Sequence, residues 1–158
     1  MNSIILSVIV VDNRFENNQK TLFENVMPDM KQAFLDVQKT LDRIDNIHYI
    51  EATLYSETLG LAGRSDVIGE FDGTPSIIDF KTSLREKKEE YISSYFEQAT
   101  AYSEMYYEMV GTSINQIVII ISVDGMTKPQ VFIKDRKDYL DILLKKILIY
   151  QKENTHVS

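Results

Sequence analysis

The run from Leu61 to Thr82 constrains this chain more than any other segment. Two strand-like stretches, Leu61 to Phe71 and Ser76 to Thr82, flank Asp72-Gly73. Asp-Gly between such stretches is a strong signal for a two-residue hairpin, because both central positions of a type I′ turn need positive φ. With that turn Phe71 faces Thr74, Asp66 lies directly opposite Asp79, and Arg64 lies opposite Lys81. Opposed side chains stand roughly 4.5–5.5 Å apart at Cβ. Pro75 makes a four-residue loop, Asp72 to Pro75, an alternative. Asp66 then faces Lys81, with Asp79 diagonal to it. Both registers leave Asp66, Asp79 and Lys81 on one face, because side chains alternate with period two. Val67, Ile78 and Phe80 turn to the opposite, buried face. A three-residue loop would shift the pairing by one and disperse the set.

Two carboxylates held this close repel, so they need a cation or a proton between them. Mg²⁺ (or Mn²⁺) prefers carboxylate oxygens and keeps several waters. Asp66 and Asp79, with the backbone carbonyl of Phe80, are therefore expected to hold one or two such ions. Such an ion polarises a phosphoryl oxygen and activates water. Lys81 is expected to orient the attacking water or to neutralise charge on a phosphate. Glu51 and Glu70 are candidates for a further ligand, and Glu51 is favoured because it lies in the first strand of the expected sheet. The plain alternative is a surface hairpin carrying an ion pair. His48 and His156 show no ligand spacing. The chain has no Gly-rich phosphate loop, serine elbow or dinucleotide fingerprint.

The rest of the chain supplies a frame for that hairpin. Residues 18–45 carry helical spacing through Leu22, Val26, Met30, Phe34, Val37, Leu41 and Ile44, and Pro28 places the helix start there. Tyr49 to Tyr55 reads as a first strand. A long helix is expected from about Lys87 to Val110, terminated by Gly111. Gln116 to Val123 is a continuous apolar run, the pattern of a strand covered on both faces. Asp124-Gly125 turns the chain, Gln130 to Lys134 reads as an edge strand, and a last amphipathic helix runs from about Arg136 to Glu153. The expected fold class is α/β, a mixed sheet flanked by helices.

At 158 residues the chain fits one domain, and 44% hydrophobic residues fit a globular class. It contains no cysteine, which excludes disulfides, thiolate zinc sites and a cysteine nucleophile. The short apolar run Ile4 to Val11 reads as a strand or buried segment rather than a signal peptide or membrane span, and an intracellular location is expected. The net charge of −7 argues against binding nucleic acid by bulk charge alone. It does not argue against an acidic site whose charge is offset by bound cations. Lys81, Arg85, Lys87 and Lys88 form a local basic cluster.

The set Glu51-Ala52, Glu57 to Asp66 (ETLGLAGRSD), Ile78 to Ser83 (IDFKTS), and Gln98 with Tyr102 resembles the PD-(D/E)xK nuclease superfamily. It is most similar to the RecB-like exonuclease branch, over roughly residues 50–122. The resemblance implies a restriction-endonuclease-like core, with Asp66 and Asp79 as metal ligands and Lys81 as the catalytic lysine. Gln98 and Tyr102 would border the site and position the lysine or DNA, together with Thr82, Ser83, Arg64 and Lys87. Gln98 and Tyr102 are four apart, so they share a helix face whatever the family. The stripe Tyr91, Tyr95, Gln98, Tyr102, Tyr106 could stack on bases or pack into the core. Such exonucleases usually carry a further histidine ligand upstream, and residues 19–45 contain none. A partner chain or an N-terminal extension could complete the site. The expected activity is a Mg²⁺- or Mn²⁺-dependent DNA exonuclease acting on single strands or ends. An endonuclease of the same fold and a non-catalytic binding module are the alternatives.

Overall fold

The structure, a computed structural model, describes residues 28–154. The N-terminal apolar run, residues 18–27 of the expected first helix, and His156 lie outside the described residues. Helix α1 (Pro28–Leu41) opens the described chain, with Pro28 at its first position, where a missing N–H costs nothing. Strands β1 (Ile44–Ser56), β2 (Leu61–Phe71) and β3 (Thr74–Ser83) follow. A 3₁₀ turn at Glu89–Tyr91 leads into α2 (Ser93–Val110). Strands β4 (Gln116–Val123) and β5 (Gln130–Asp135) and helix α3 (Lys137–Asn154) complete the chain.

The five strands form one sheet in the order β1-β2-β3-β4-β5. The β3–β4 pair is parallel and the others are antiparallel, so the sheet is mixed, as expected. Its two faces carry separate apolar clusters. Leu54, Ile68, Ile77, Ile117, Ile119 and Ile121 pack under α2 and α3. Val67, Phe71, Ile78, Phe80, Val118 and Ile120 form the other cluster, against which Leu41 at the end of α1 packs. Strand β4 is buried on both faces, which is why it reads as an unbroken apolar run.

The hairpin closes through the two-residue turn. Phe71 pairs with Thr74, and Asp72 and Gly73 have φ of 52° and 74°. Pro75 fits this register because it falls opposite Glu70, at the position between hydrogen-bonded pairs where an N–H is not required. The four-residue loop is therefore not adopted. Arg43 clamps the turn from outside. Its Nε and Nη2 donate to the two Asp72 carboxylate oxygens at 3.0 and 2.6 Å, its carbonyl accepts the Asp72 N–H at 2.9 Å, and its guanidinium lies 4.4 Å from the Phe71 ring centroid.

Several boundaries differ from the sequence reading. Helix α1 ends at Leu41 rather than near residue 45, and Ile44, read as part of its apolar stripe, opens β1. Strand β1 begins at Ile44 rather than Tyr49, through polar residues that its own pattern does not mark; the neighbouring strand β2 pairs with them across an irregularity between Asp45 and Tyr49. Helix α2 begins at Ser93 rather than Lys87. The Gln130 side-chain amide accepts the Lys87 N–H at 2.8 Å and donates to the Lys87 carbonyl at 2.9 Å. It thereby takes the Lys87 carbonyl, which a helix starting there would have offered to the N–H four residues on.

Arg43→Ala removes a two-pronged ion pair and its packing on Phe71. It should lower unfolding stability by about 1 kcal/mol, since the pair is half-exposed. Urea denaturation measures this.

Candidate active site

The pairing of β2 with β3 runs from Phe71–Thr74 to Val67–Ile78 and ends there. One step further, Asp66 and Asp79 face each other across the strands. The next ladder bond would join Phe80 to Ser65, but the Phe80 N–H instead donates to Asp66 Oδ2 at 2.8 Å. A carboxylate thus replaces a backbone carbonyl. The expected opposition of Arg64 and Lys81 is lost with the ladder; Arg64 is exposed and pairs with Thr53 of β1.

Asp79 is almost fully buried, at 3% exposure. Its Oδ2 lies 2.6 Å from Lys81 Nζ, yet this oxygen has no hydrogen bond of good direction. The two groups are in ion-pair contact, but the contact does not have hydrogen-bond geometry. Burial raises the Asp79 carboxyl from 3.8 to about 6; Lys81 opposes the rise and the neighbouring Asp66 adds to it. The carboxylates therefore interact directly, as the hairpin geometry requires.

Helix α2 covers this pair. Gln98 Oε1 accepts from Lys81 Nζ at 2.9 Å, and the Tyr95 ring centroid lies 5.3 Å from the same nitrogen. Tyr102 is buried, and its hydroxyl pKa is raised by burial and by the charges of Asp79 and Asp66, against an opposing hydrogen bond from Gln98. Gly63 makes room for it, because a Cβ there would stand 2.7 Å from Tyr102 Cε1. Further along α2, the Glu108 carboxylate accepts from the N–H groups of Glu57 and Thr58 at 3.0 and 3.2 Å and from the Ser56 hydroxyl. The turn between β1 and β2 is thus fastened to the helix end.

The sequence-derived residues divide clearly. Asp66, Asp79, Lys81, Gln98 and Tyr102 come together. Glu51 does not join them. It is exposed on β1 with φ of 52°, and among the described residues no three His, Asp or Glu side chains gather at one point. Strand alternation slips by one beside it. Tyr49 reaches Tyr106 of α2, while Leu54 and Ala52 also belong to the α2-side cluster. Strand β2 slips at the same level, since Gly63 and Ile68 both meet that side. Glu70 accepts from Asn46 Nδ2 at 3.1 Å. Ser83 closes a turn with Arg85, donating to its carbonyl at 2.6 Å and accepting its N–H at 3.2 Å. Thr82 is exposed beside Ser122, and Lys87 is held through its backbone as described. His48 is exposed on β1. Of the aromatic stripe, Tyr102 and Tyr106 are core residues and Tyr91 is exposed. Tyr95 is the residue whose place beside the lysine no motif marked; its spacing three before Gln98 was the available signal.

The residues present suit a hard divalent cation. They offer two opposed carboxylates, one of them with a buried oxygen that lacks a directed partner. Mg²⁺ is commonly held by one or two carboxylates with waters and substrate phosphate.

No protein-family model and no curated protein matches the sequence. Among solved structures, the chain is similar to a candidate exonuclease from Eubacterium rectale, with 12% identity and a TM-score of 0.47, covering 100% of this chain and 70% of that one. It is also similar to the protein SSO0001, with 13% identity and a TM-score of 0.39, covering 77% of this chain and 58% of that one.

Two outcomes follow from the geometry. Because folding raises the Asp79 carboxyl from 3.8 to about 6, the protonated form is favoured in the native state. Its stabilisation is complete below about pH 4 and is lost as pH rises through 6, on the order of 3 kcal/mol in total without cation. Asp79→Asn should therefore melt higher than the parent at pH 7 in chelator and lack this slope, and Mn²⁺ should raise the melting temperature of the parent alone. Gly63→Ala should push the Tyr102 ring and cost about 1–3 kcal/mol, read by thermal melting with near-UV circular dichroism.

Proposed function

We propose that this chain is a Mg²⁺- or Mn²⁺-dependent nuclease that hydrolyses phosphodiester bonds in DNA, working from ends and on single strands. The observation that carries the reading is the buried, incompletely partnered Asp79 facing Asp66, with Lys81 at 2.6 Å. A bound cation would be held by Asp66 and Asp79, and it would supply charge stabilisation and a water of lowered pKa. Asp66 keeps its carboxylate oriented through the Phe80 N–H. Lys81 places a positive charge beside the phosphate and hydrogen-bonds the attacking water or a non-bridging oxygen. Gln98 fixes the lysine's direction, and buried Tyr102 keeps water from the inner side of the site. The net charge of −7 makes bulk attraction weak, so affinity is expected to come from the site and from the exposed basic residues that follow Lys81 in the chain, Arg85 and Lys88.

Preference for ends is supported by the motif resemblance to RecB-like exonucleases. Purified protein with Mn²⁺ should degrade linear single-stranded DNA, and Lys81→Ala should lower the rate at least about a hundredfold while the fold persists by circular dichroism. Closed single-stranded circles should stay intact. Cleavage of circles would make the protein an endonuclease, and equal rates for Lys81→Ala would remove the lysine from the chemistry.

A further inference from the structure

Lys81 and a divalent cation require the same atom. The ammonium lies 2.6 Å from Asp79 Oδ2, and that oxygen is part of the cation site described above. Two cations cannot share one carboxylate oxygen at ion-pair distance without strong repulsion. Two further contacts of the ammonium come from the start of α2, and both partners are uncharged. Gln98 Oε1 accepts from it at 2.9 Å, and the Tyr95 ring centroid lies at 5.3 Å. Tyr95 and Gln98 are three residues apart, so they present one helix face to the lysine. Tyr95 is itself held, partly buried against the α2-side cluster.

We propose that Tyr95 is a positioning residue for Lys81. With Gln98 it forms a second seat, on which the ammonium settles when Asp79 engages a divalent cation. The inference rests on the reading of Asp66 and Asp79 as a cation site. In the metal-free protein Lys81 acts as the internal counter-ion of Asp79. When the cation is bound, Lys81 gives up that contact, keeps its hydrogen bond to Gln98, and gains the full attraction of the ring face. The ammonium then stays next to the phosphate instead of swinging into solvent. With an aliphatic residue at 95 the seat loses its attraction, and the ammonium competes harder for Asp79. Cation affinity therefore depends on Tyr95 only through Lys81.

The test is Mn²⁺ affinity, read from the electron paramagnetic resonance of free Mn²⁺ with the full chain in mildly alkaline buffer, where proton competition is small. Tyr95→Phe keeps the ring and should bind within about twofold of the parent. Tyr95→Leu should bind about three- to tenfold more weakly. Lys81→Met should bind more tightly than the parent, and adding Tyr95→Leu to it should change nothing further. A merely structural tyrosine would weaken binding equally in both backgrounds, and that result overturns the proposal, as does unchanged affinity in Tyr95→Leu. Should Tyr95→Leu not fold, Tyr95→Met gives the same comparison. Mn²⁺ binding without coupling between positions 95 and 81 overturns this inference alone. A folded parent that binds no Mn²⁺ overturns the cation site and this inference together.

Discussion

The Phe80 N–H donating to the Asp66 carboxylate is the contact on which the rest of the site depends. A sheet ladder continued past Val67–Ile78 would give that N–H to Ser65 and leave no reason for the strands to part. By taking the place of a backbone carbonyl, Asp66 ends the ladder without leaving a buried donor unpaired. The same bond fixes the direction of its carboxylate. Asp79 then faces an anion rather than a continued strand, and burial raises its proton affinity. The close approach of two carboxylates follows from the way one ladder terminates.

Helix α2 turns this pair into a directed site. It fixes its position on the sheet at three heights. Gln98 meets Lys81, Tyr102 fits over Gly63, and Glu108 collects the donors of the turn between β1 and β2. Each contact is short-range and each comes from a different turn of the helix. Together they exclude sliding or rotation of α2 by one residue, which would move Gln98 off the lysine.

Much of this was legible in the sequence, for local reasons. Asp72-Gly73 marks its turn by φ alone, and period two places Asp66, Asp79 and Lys81 together in either register. Pro75 left the register open. Ladder parity resolves it, because a proline falling between hydrogen-bonded pairs costs nothing there. Gln98 and Tyr102 were found because helix spacing is independent of where the helix starts. The misreadings concern tertiary effects. Glu51 lies at a slip in strand alternation that no pattern predicts, since it occurs in β1 and β2 together. Arg64 lost its expected partner where the ladder stops. The start of α2 was placed too early because Gln130, forty-three residues away from Lys87, takes the backbone groups of that segment.

The parallel pairing of β3 with β4 has a consequence of its own. Parallel neighbours cannot be joined by a tight turn, and the crossover between them is α2. The chain cannot lay β4 against β3 without carrying α2 across the sheet, and α2 bears Tyr95, Gln98 and Tyr102. Pairing β4 with β3 and seating α2 over the site are therefore linked by the connectivity of the chain. The β1–β3 meander by itself holds both aspartates and the lysine but has no helix above them. The residues of the candidate site thus come from both the meander and the crossover, and only the completed sheet with its helix brings them together.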